Sequence, residues 1–453
     1  MRIRDNIQSF QEKLFEAAKA QGFLDYEIYF AASRSFQVKI FKGEIAEYKN
    51  ADTAGLSFRG TYKGNMAYFY TEKLDEGLIP GLLASAIQNA GLIEEKEQQA
   101  LYPGDAPSDY MAMDTYFAAL DHISPEEKIQ AAKTMEKAAY EADPRVISID
   151  HCVVATTNSS SYIANSLGLC LENQSNYAYA YLEPRVTEDV ETKIAFEVWS
   201  GTDWQQFHPE NLAKQAVHKA LAALHAKTPQ SGQYPVVFDR FAAIDMLETF
   251  MNAFYAEKVQ KGFSLLEGKL GQAVASQAVT IRDDAYVPGG IGNTPFDSEG
   301  VAAKNKVLVE NGILRTYLYN LKSAKKDSVP STGNGFKASF KAPVETSAIN
   351  FYIQPSAHPL DDLYAAAGNG ILVTDLAGMH SGANPISGDF SLSANGFRIE
   401  NGRIVGPIEQ FTISGNFFTL LRDIQMVADD LTFGIGTVGA PAILVKELNI
   451  AGE

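Results

Sequence analysis

The residues Gly370–Asn416 read GILVTDLAGMHSGANPISGDFSLSANGFRIENGRIVGPIEQFTISGN. Apolar residues alternate with polar ones on both sides of Asn401-Gly402. A type I′ turn requires φ > 0 at both central positions, and Asn-Gly meets that requirement best. The stretch therefore predicts long antiparallel strands joined by a tight hairpin. A related pattern lies upstream, where Val307–Arg315 (VLVENGILR) again sets Asn-Gly between two alternating runs. Together they predict a C-terminal half built from hairpins, as a sheet or a barrel-like body.

Working outward, the segment Lys227–Tyr234 (KTPQSGQY) is a cluster of turn residues and marks a boundary. Before it the pattern changes. A helix is expected over about 7–21, followed by short alternating runs at 26–31, 36–41, 45–48, 53–58 and 66–70. Lys42-Gly43 and Lys63-Gly64-Asn65 supply turns, which gives an antiparallel meander. A helix over about 76–91 follows, then a polar stretch at 95–120 with the character of a linker. Ser124, Pro125 and Glu127 form a capping-box signature that opens the next helix. Strands over 146–199 and a helix over about 209–226 complete this part. The fold class is α+β, divided as 1–94, a linker at 95–120, a middle α+β region at 121–226, and a β-rich domain at 232–453. In the last of these, a helix is expected over about 241–258, with Phe241, Ile244, Leu247, Met251 and Phe254 as its core face.

Composition narrows the function. The net charge is −17 and the sequence pI is about 4.9. That field opposes direct nucleic-acid binding, which needs a basic footprint. The densest basic cluster, Lys322, Lys325 and Lys326, reads as a solvated turn. Cys152 and Cys170 read as buried free thiols. The N-terminus has no apolar run typical of a signal peptide, and no stretch approaches a membrane span. The expectation is a cytoplasmic protein without a membrane anchor.

Several motifs suggest chemistry and fail on context. Gly434–Gly439 spells GxGxxG, but no helix can open after Ala440-Pro441, so a dinucleotide site is rejected. Gly378-Met-His-Ser-Gly382 places His380 where a nucleophile elbow needs serine. His380, Ser381 and Asp389 remain candidates for a hydrolytic relay. The seven histidines include none followed by glutamate, so no His-Glu zinc motif exists. Asp283-Asp284, Asp361-Asp362 and Asp429-Asp430 are adjacent pairs. Adjacent strand residues face opposite ways, so these read as turns and caps.

An ordered set of motifs covers about 220 residues. It comprises Asp283-Asp284 with Pro288-Gly289-Gly290, Phe296–Gly300 (FDSEG), Glu310-Asn311-Gly312, Ser331–Gly335 (STGNG), Gly378–Gly382, Ser387-Gly388-Asp389, Gly396-Phe397, Glu400-Asn401-Gly402 and Ile413–Asn416 (ISGN). In this the chain resembles the TldD/PmbA family, whose older label is modulator of DNA gyrase. TldD-type members resemble zinc metallopeptidases with a His-Glu-x-x-x-His helix and a cysteine ligand near the C-terminus. Here Glu248, Thr249 and Ala253 fall at the helix positions and Val438 at the cysteine. The resemblance is thus to the PmbA/TldE branch.

It implies a non-catalytic subunit that forms a chamber with a zinc-bearing TldD-type paralogue and processes unfolded peptides. This chain would hold no metal or cofactor of its own. An effect on gyrase would then be indirect, through proteolysis. Asn334, Gly335, Gly388, Asp389 and Asn416 are the candidates for peptide binding or for structural motif roles. The competing expectations are an independent hydrolase using His380, Ser381 and Asp389, and a homodimeric peptide-binding scaffold.

Overall fold

The computed structural model describes residues 3–91 and 101–453. The chain is α+β, as the residue pattern predicts. The first and middle segments share one antiparallel sheet of seven strands. Its order is Asn65–Thr71, Glu44–Tyr62, Tyr26–Phe41, Val146–Asn165, Cys170–Glu188 and Glu191–Ile194, with Glu197–Gly201 also pairing to Cys170–Glu188. The runs expected at 26–31 and 36–41 form one continuous strand, as do those at 45–48 and 53–58. In the first of these, the polar residues between the runs are tolerated because neighbouring strands satisfy the backbone on both sides throughout Tyr29–Lys39.

Alternation gives this sheet two different faces. Ile28, Phe30, Phe36, Val38 and Ile40 point to one face and are buried. The Ile3–Ala20 and Ile79–Ala90 helices cover one half of it, and the Pro125–Ala142 and Pro209–Ala222 helices cover the other. Ser124 and Glu127 form the expected capping box. Tyr29, Ile163 and Leu169 point the other way and pack against Phe296 of the C-terminal half.

Part of the stretch expected as a linker, 95–100, lies outside the described residues. The remainder is packed: the Tyr110 hydroxyl donates to the Gly300 carbonyl at 2.9 Å, and the Asp105 carboxylate accepts from the Ala302 amide at 2.8 Å. One expectation about the thiols is corrected. Cys152 is buried, but Cys170 is exposed at the start of its strand.

In the C-terminal half, five strands close into a barrel. Gly232–Phe238 runs parallel to Gly370–Ala377, which pairs with Asp389–Glu400, then Arg403–Asn416, then Ile443–Ala451, which returns to Gly232–Phe238. Asn401 and Gly402 have φ of 51° and 74°, and Asn311 and Gly312 have 47° and 82°, as the two hairpins require. A second five-stranded sheet includes Ile281–Asp283, Phe351–Ile353 and Val438–Gly439. Gly434–Gly439 runs through loop into that short strand, and no helix follows it.

The helix expected over 241–258 is broken. It spans Arg240–Phe250, passes through a tight turn at Met251–Phe254, and restarts at Ala256–Gln260. Tyr255 is extended between them. The Ala256 amide donates to the Leu318 carbonyl and the Leu318 amide to the Phe254 carbonyl, both at 2.9 Å. These tertiary bonds replace the helical ladder.

Candidate functional site

The positions at which the resemblance places zinc ligands do not form a ligand set. Glu248 is exposed on the Arg240–Phe250 helix, and Thr249 donates its hydroxyl to the Asp245 carbonyl at 2.7 Å. Ala253 lies beyond the helix, in the tight turn, and is buried, as is Val438. An alanine and a valine offer no lone pair, so this donor set does not fit zinc. Among the described residues no group of three or more His, Cys, Asp or Glu side chains is placed to hold a metal ion. Burial, reinforced by the neighbouring carboxylates of Asp375 and Glu248, instead pushes the Asp245 carboxyl up to about 7.

The glycine-rich segment is a structural turn. Gly378, in the left-handed region at φ 89°, opens a single helical turn at Met379–Gly382. His380 and Ser381 are exposed there. The Ser381 hydroxyl reaches only the Gly378 carbonyl, at 3.4 Å, and no hydrogen bond joins the His380 ring to Ser381 or Asp389 among the described residues. The Asp389 carboxylate accepts from Ser387 Oγ at 2.8 Å and Asn416 Nδ2 at 2.9 Å, and these bonds hold its pKa below the usual carboxylate value. Asn416 also accepts from the Phe418 and Thr419 amides, capping the Phe417–Asp423 helix. Gly388, at φ 81°, lies under the Phe418 ring, where a Cβ would meet ring carbon at 2.6 Å. The structure therefore brings Gly388, Asp389 and Asn416 together as a clasp, and it leaves His380 outside.

Asn334 and Gly335 belong to a buried polar core. Asn334 is fully enclosed, and its amide donates to Asp283 Oδ2 at 2.8 Å and to the Ser347 carbonyl at 2.9 Å. The adjacent pair Asp283-Asp284 is likewise buried, with its two side chains engaged separately. Asp283 pairs with Lys306 at 3.2 Å, and Asp284 takes a forked bond from Arg282. The Gly335 amide donates to Asp297 Oδ2 at 2.8 Å, and a Cβ there would lie 2.2 Å from Glu299 Oε2.

The Phe296–Gly300 turn carries two perturbed carboxylates at the seam between the two halves. Asp297 Oδ1 accepts from the Glu299 and Val301 amides at 2.9 and 3.0 Å. Burial nevertheless drives its pKa well up, and burial pushes Glu299 up to about 7. Across the seam, the sheet presents Glu27 and Arg59 as directly opposed residues joined at 2.7 Å, both buried.

Next to this seam runs a groove of about 780 Å³. Its floor is the side of the seven-stranded sheet that faces away from the helices, with Ser33, Ser159, Ser161 and Ser175 among its hydroxyls. Its wall is Lys337–Lys341, the tip of the hairpin formed by Gly335–Lys337 and Val344–Thr346. Gly55 makes the docking possible, because a Cβ there would lie 2.3 Å from the Phe340 ring. The Tyr68 hydroxyl donates to the Phe340 carbonyl at 3.1 Å, and Lys341 pairs with Glu72 at 2.7 Å. Lys322, Lys325 and Lys326, expected as a solvated turn, line a second cavity of about 800 Å³ together with Glu257 and Glu299.

Glu27, Arg59 and Lys337 are absent from the residues singled out by motif. The usable signal is alternation: Glu27 and Arg59 sit out of phase with Ile28, Phe30, Leu56 and Phe58 in otherwise apolar strands.

Sequence models of the PmbA/TldA metallopeptidase match the chain in three parts: domain 1 over residues 26–91, the central domain over 118–224 and the C-terminal domain over 231–452. A metalloprotease PmbA homolog of Haemophilus influenzae is 28% identical, over 96% of this chain and 94% of its own. A metalloprotease TldD homolog of Buchnera aphidicola is 30% identical over 54% of this chain and 53% of its own. A crystal structure from Thermotoga maritima, described as a modulator of a DNA gyrase, superposes with a TM-score of 0.91. It is 32% identical and covers 98% of this chain and 100% of its own. TldE from Thermococcus kodakarensis shares the fold, with a TM-score of 0.89 at 24% identity over 98% of this chain and 100% of its own.

Proposed function

The chain belongs to the PmbA/TldD metallopeptidase family, and from that premise we propose that it is a non-catalytic subunit of a cytoplasmic peptidase. Its role is to complete a chamber and position unfolded peptide for a zinc-bearing TldD-type partner. The observation that carries this reading is the chemistry of Glu248, Thr249, Ala253 and Val438. The family frame surrounds four positions that cannot together supply a zinc ligand set.

The groove supports the peptide part of the reading. Its floor of serine hydroxyls can donate to and accept from the main chain of an extended peptide, which is recognition without demand on particular side chains. The acidic net charge argues against direct contact with DNA, so an influence on gyrase would act through proteolysis. Among the described residues no helix is long and apolar enough to cross a membrane.

The test is zinc analysis and a peptidase assay on the pure chain, repeated after mixing with a TldD-type paralogue. The expected result is no stoichiometric zinc and no hydrolysis alone, with hydrolysis restored in a mixed assembly. Stoichiometric zinc and hydrolysis by the pure chain would overturn the proposal. Peptide binding by a homodimer that never joins a paralogue would replace it with a scaffold role.

A further inference from the structure

Lys337 stands in the groove without a counterion. Four charged residues line that groove: Asp52, Glu72, Lys337 and Lys341. Asp52 is paired with Arg34 at 2.9 Å and Glu72 with Lys341 at 2.7 Å. Among the described residues, Lys337 has no carboxylate within ion-pair distance. Its ammonium donates to Ser57 Oγ at 3.0 Å and lies 5.3 Å and 5.7 Å from the Tyr29 and Tyr68 ring centres. Ser57 is itself buried, so it anchors the amine and is not open to substrate.

The charged groups behind Lys337 are already committed. Glu27 is joined to Arg59, and Glu299 accepts from the Leu321 amide at 2.8 Å. Burial, with repulsion from Arg59, pulls the Lys337 amine down to about 8, only partly opposed by Glu27 and Glu299. Lys337 lines the groove, and a cation on aromatic faces with no carboxylate partner beside a groove is a site for an incoming negative group.

We infer that Lys337 receives the C-terminal carboxylate of a peptide lying in the groove. This rests on the groove's being a peptide site and adds polarity to it: the chain would be read from its carboxyl end. The carboxylate replaces the missing counterion at the Lys337 ammonium. Hydroxyls of the sheet floor face the chain running away from it.

The experiment compares two N-terminally labelled pentapeptides of one sequence, one a free acid and one a C-terminal amide, by fluorescence anisotropy on the full chain. The free acid should bind at least about tenfold more tightly, as expected for one charge-assisted contact. Lys337→Met should abolish that difference and Lys337→Arg should keep most of it, with thermal melting confirming that both variants fold. Binding of the acid should weaken between pH 7 and pH 9.5, as the amine loses its proton, while the amide stays level. An N-acetyl amino acid supplies the same carboxylate without a chain. Its binding as tightly as the pentapeptide would overturn the assignment to a peptide terminus. Equal binding of acid and amide, unchanged in Lys337→Met, would overturn the role of Lys337 and leave the peptide groove standing. No binding of either pentapeptide would overturn both.

Discussion

The turns at 378–389 and 296–300 both set acidic residues among glycines, and they use them in opposite ways. In the first, Asp389 is exposed and satisfied by its neighbours Ser387 and Asn416, so its charge costs little. In the second, Asp297 and Glu299 are buried at the seam between the halves, and burial raises both pKa values. Motif density therefore points to the first turn and electrostatic strain to the second. Perturbed ionisation follows enclosure, and enclosure is a property of the assembled halves.

The largest expected effect tests the buried side of this contrast. Arg59→Met leaves Glu27 enclosed without its cation, and urea unfolding should show a loss of roughly 3–5 kcal/mol. Adding Glu27→Gln to that variant should recover part of the loss.

A smaller effect concerns Glu299. Its folded pKa, about 7, is raised above the usual value of 4.5. The folded state therefore holds this proton more tightly than the unfolded state. The stability that this gives is complete below about pH 4.5 and is lost as pH rises through 7. Glu299→Gln should match the parent near pH 4 and exceed its stability at pH 8 by on the order of 3 kcal/mol, in unfolding curves taken at both values. A parallel pH profile in parent and variant would break the contrast.

The smallest effects belong to the exposed turn. Asn416→Ala removes a helix cap and should cost about 1 kcal/mol in thermal melts. His380→Ala should change stability by less than about 0.5 kcal/mol. A folded His380→Ala protein that lost a hydrolytic activity would restore the relay of His380, Ser381 and Asp389.

Local chemistry made much of the fold legible. The Asn-Gly hairpins, the Ser124–Glu127 capping box and the Lys42-Gly43 and Lys63-Gly64 turns are set by φ preferences and hydrogen bonds within a few residues, so they stand where the sequence puts them. The break at Met251–Tyr255 was not legible, because Leu318, distant in sequence, supplies the bonds that stop the helix. Asn334 shows the same limit at the level of sites. Its motif suggests contact with peptide, yet packing against Asp283 and Ser347 encloses it completely.

The amino-acid sequence by itself determined the α+β class, the hairpin-built C-terminal half and the family resemblance. These rest on periodicity, turn chemistry and residue identity, which need no partner across space. Only the tertiary structure decided that the strands before residue 202 form one sheet, that the last strands close into a barrel, and that Lys337 lies over Tyr29, Tyr68 and Ser57. The reason is physical: tertiary contacts join distant residues, as Lys337 and Ser57 are joined across 280 positions, and no local pattern carries that separation.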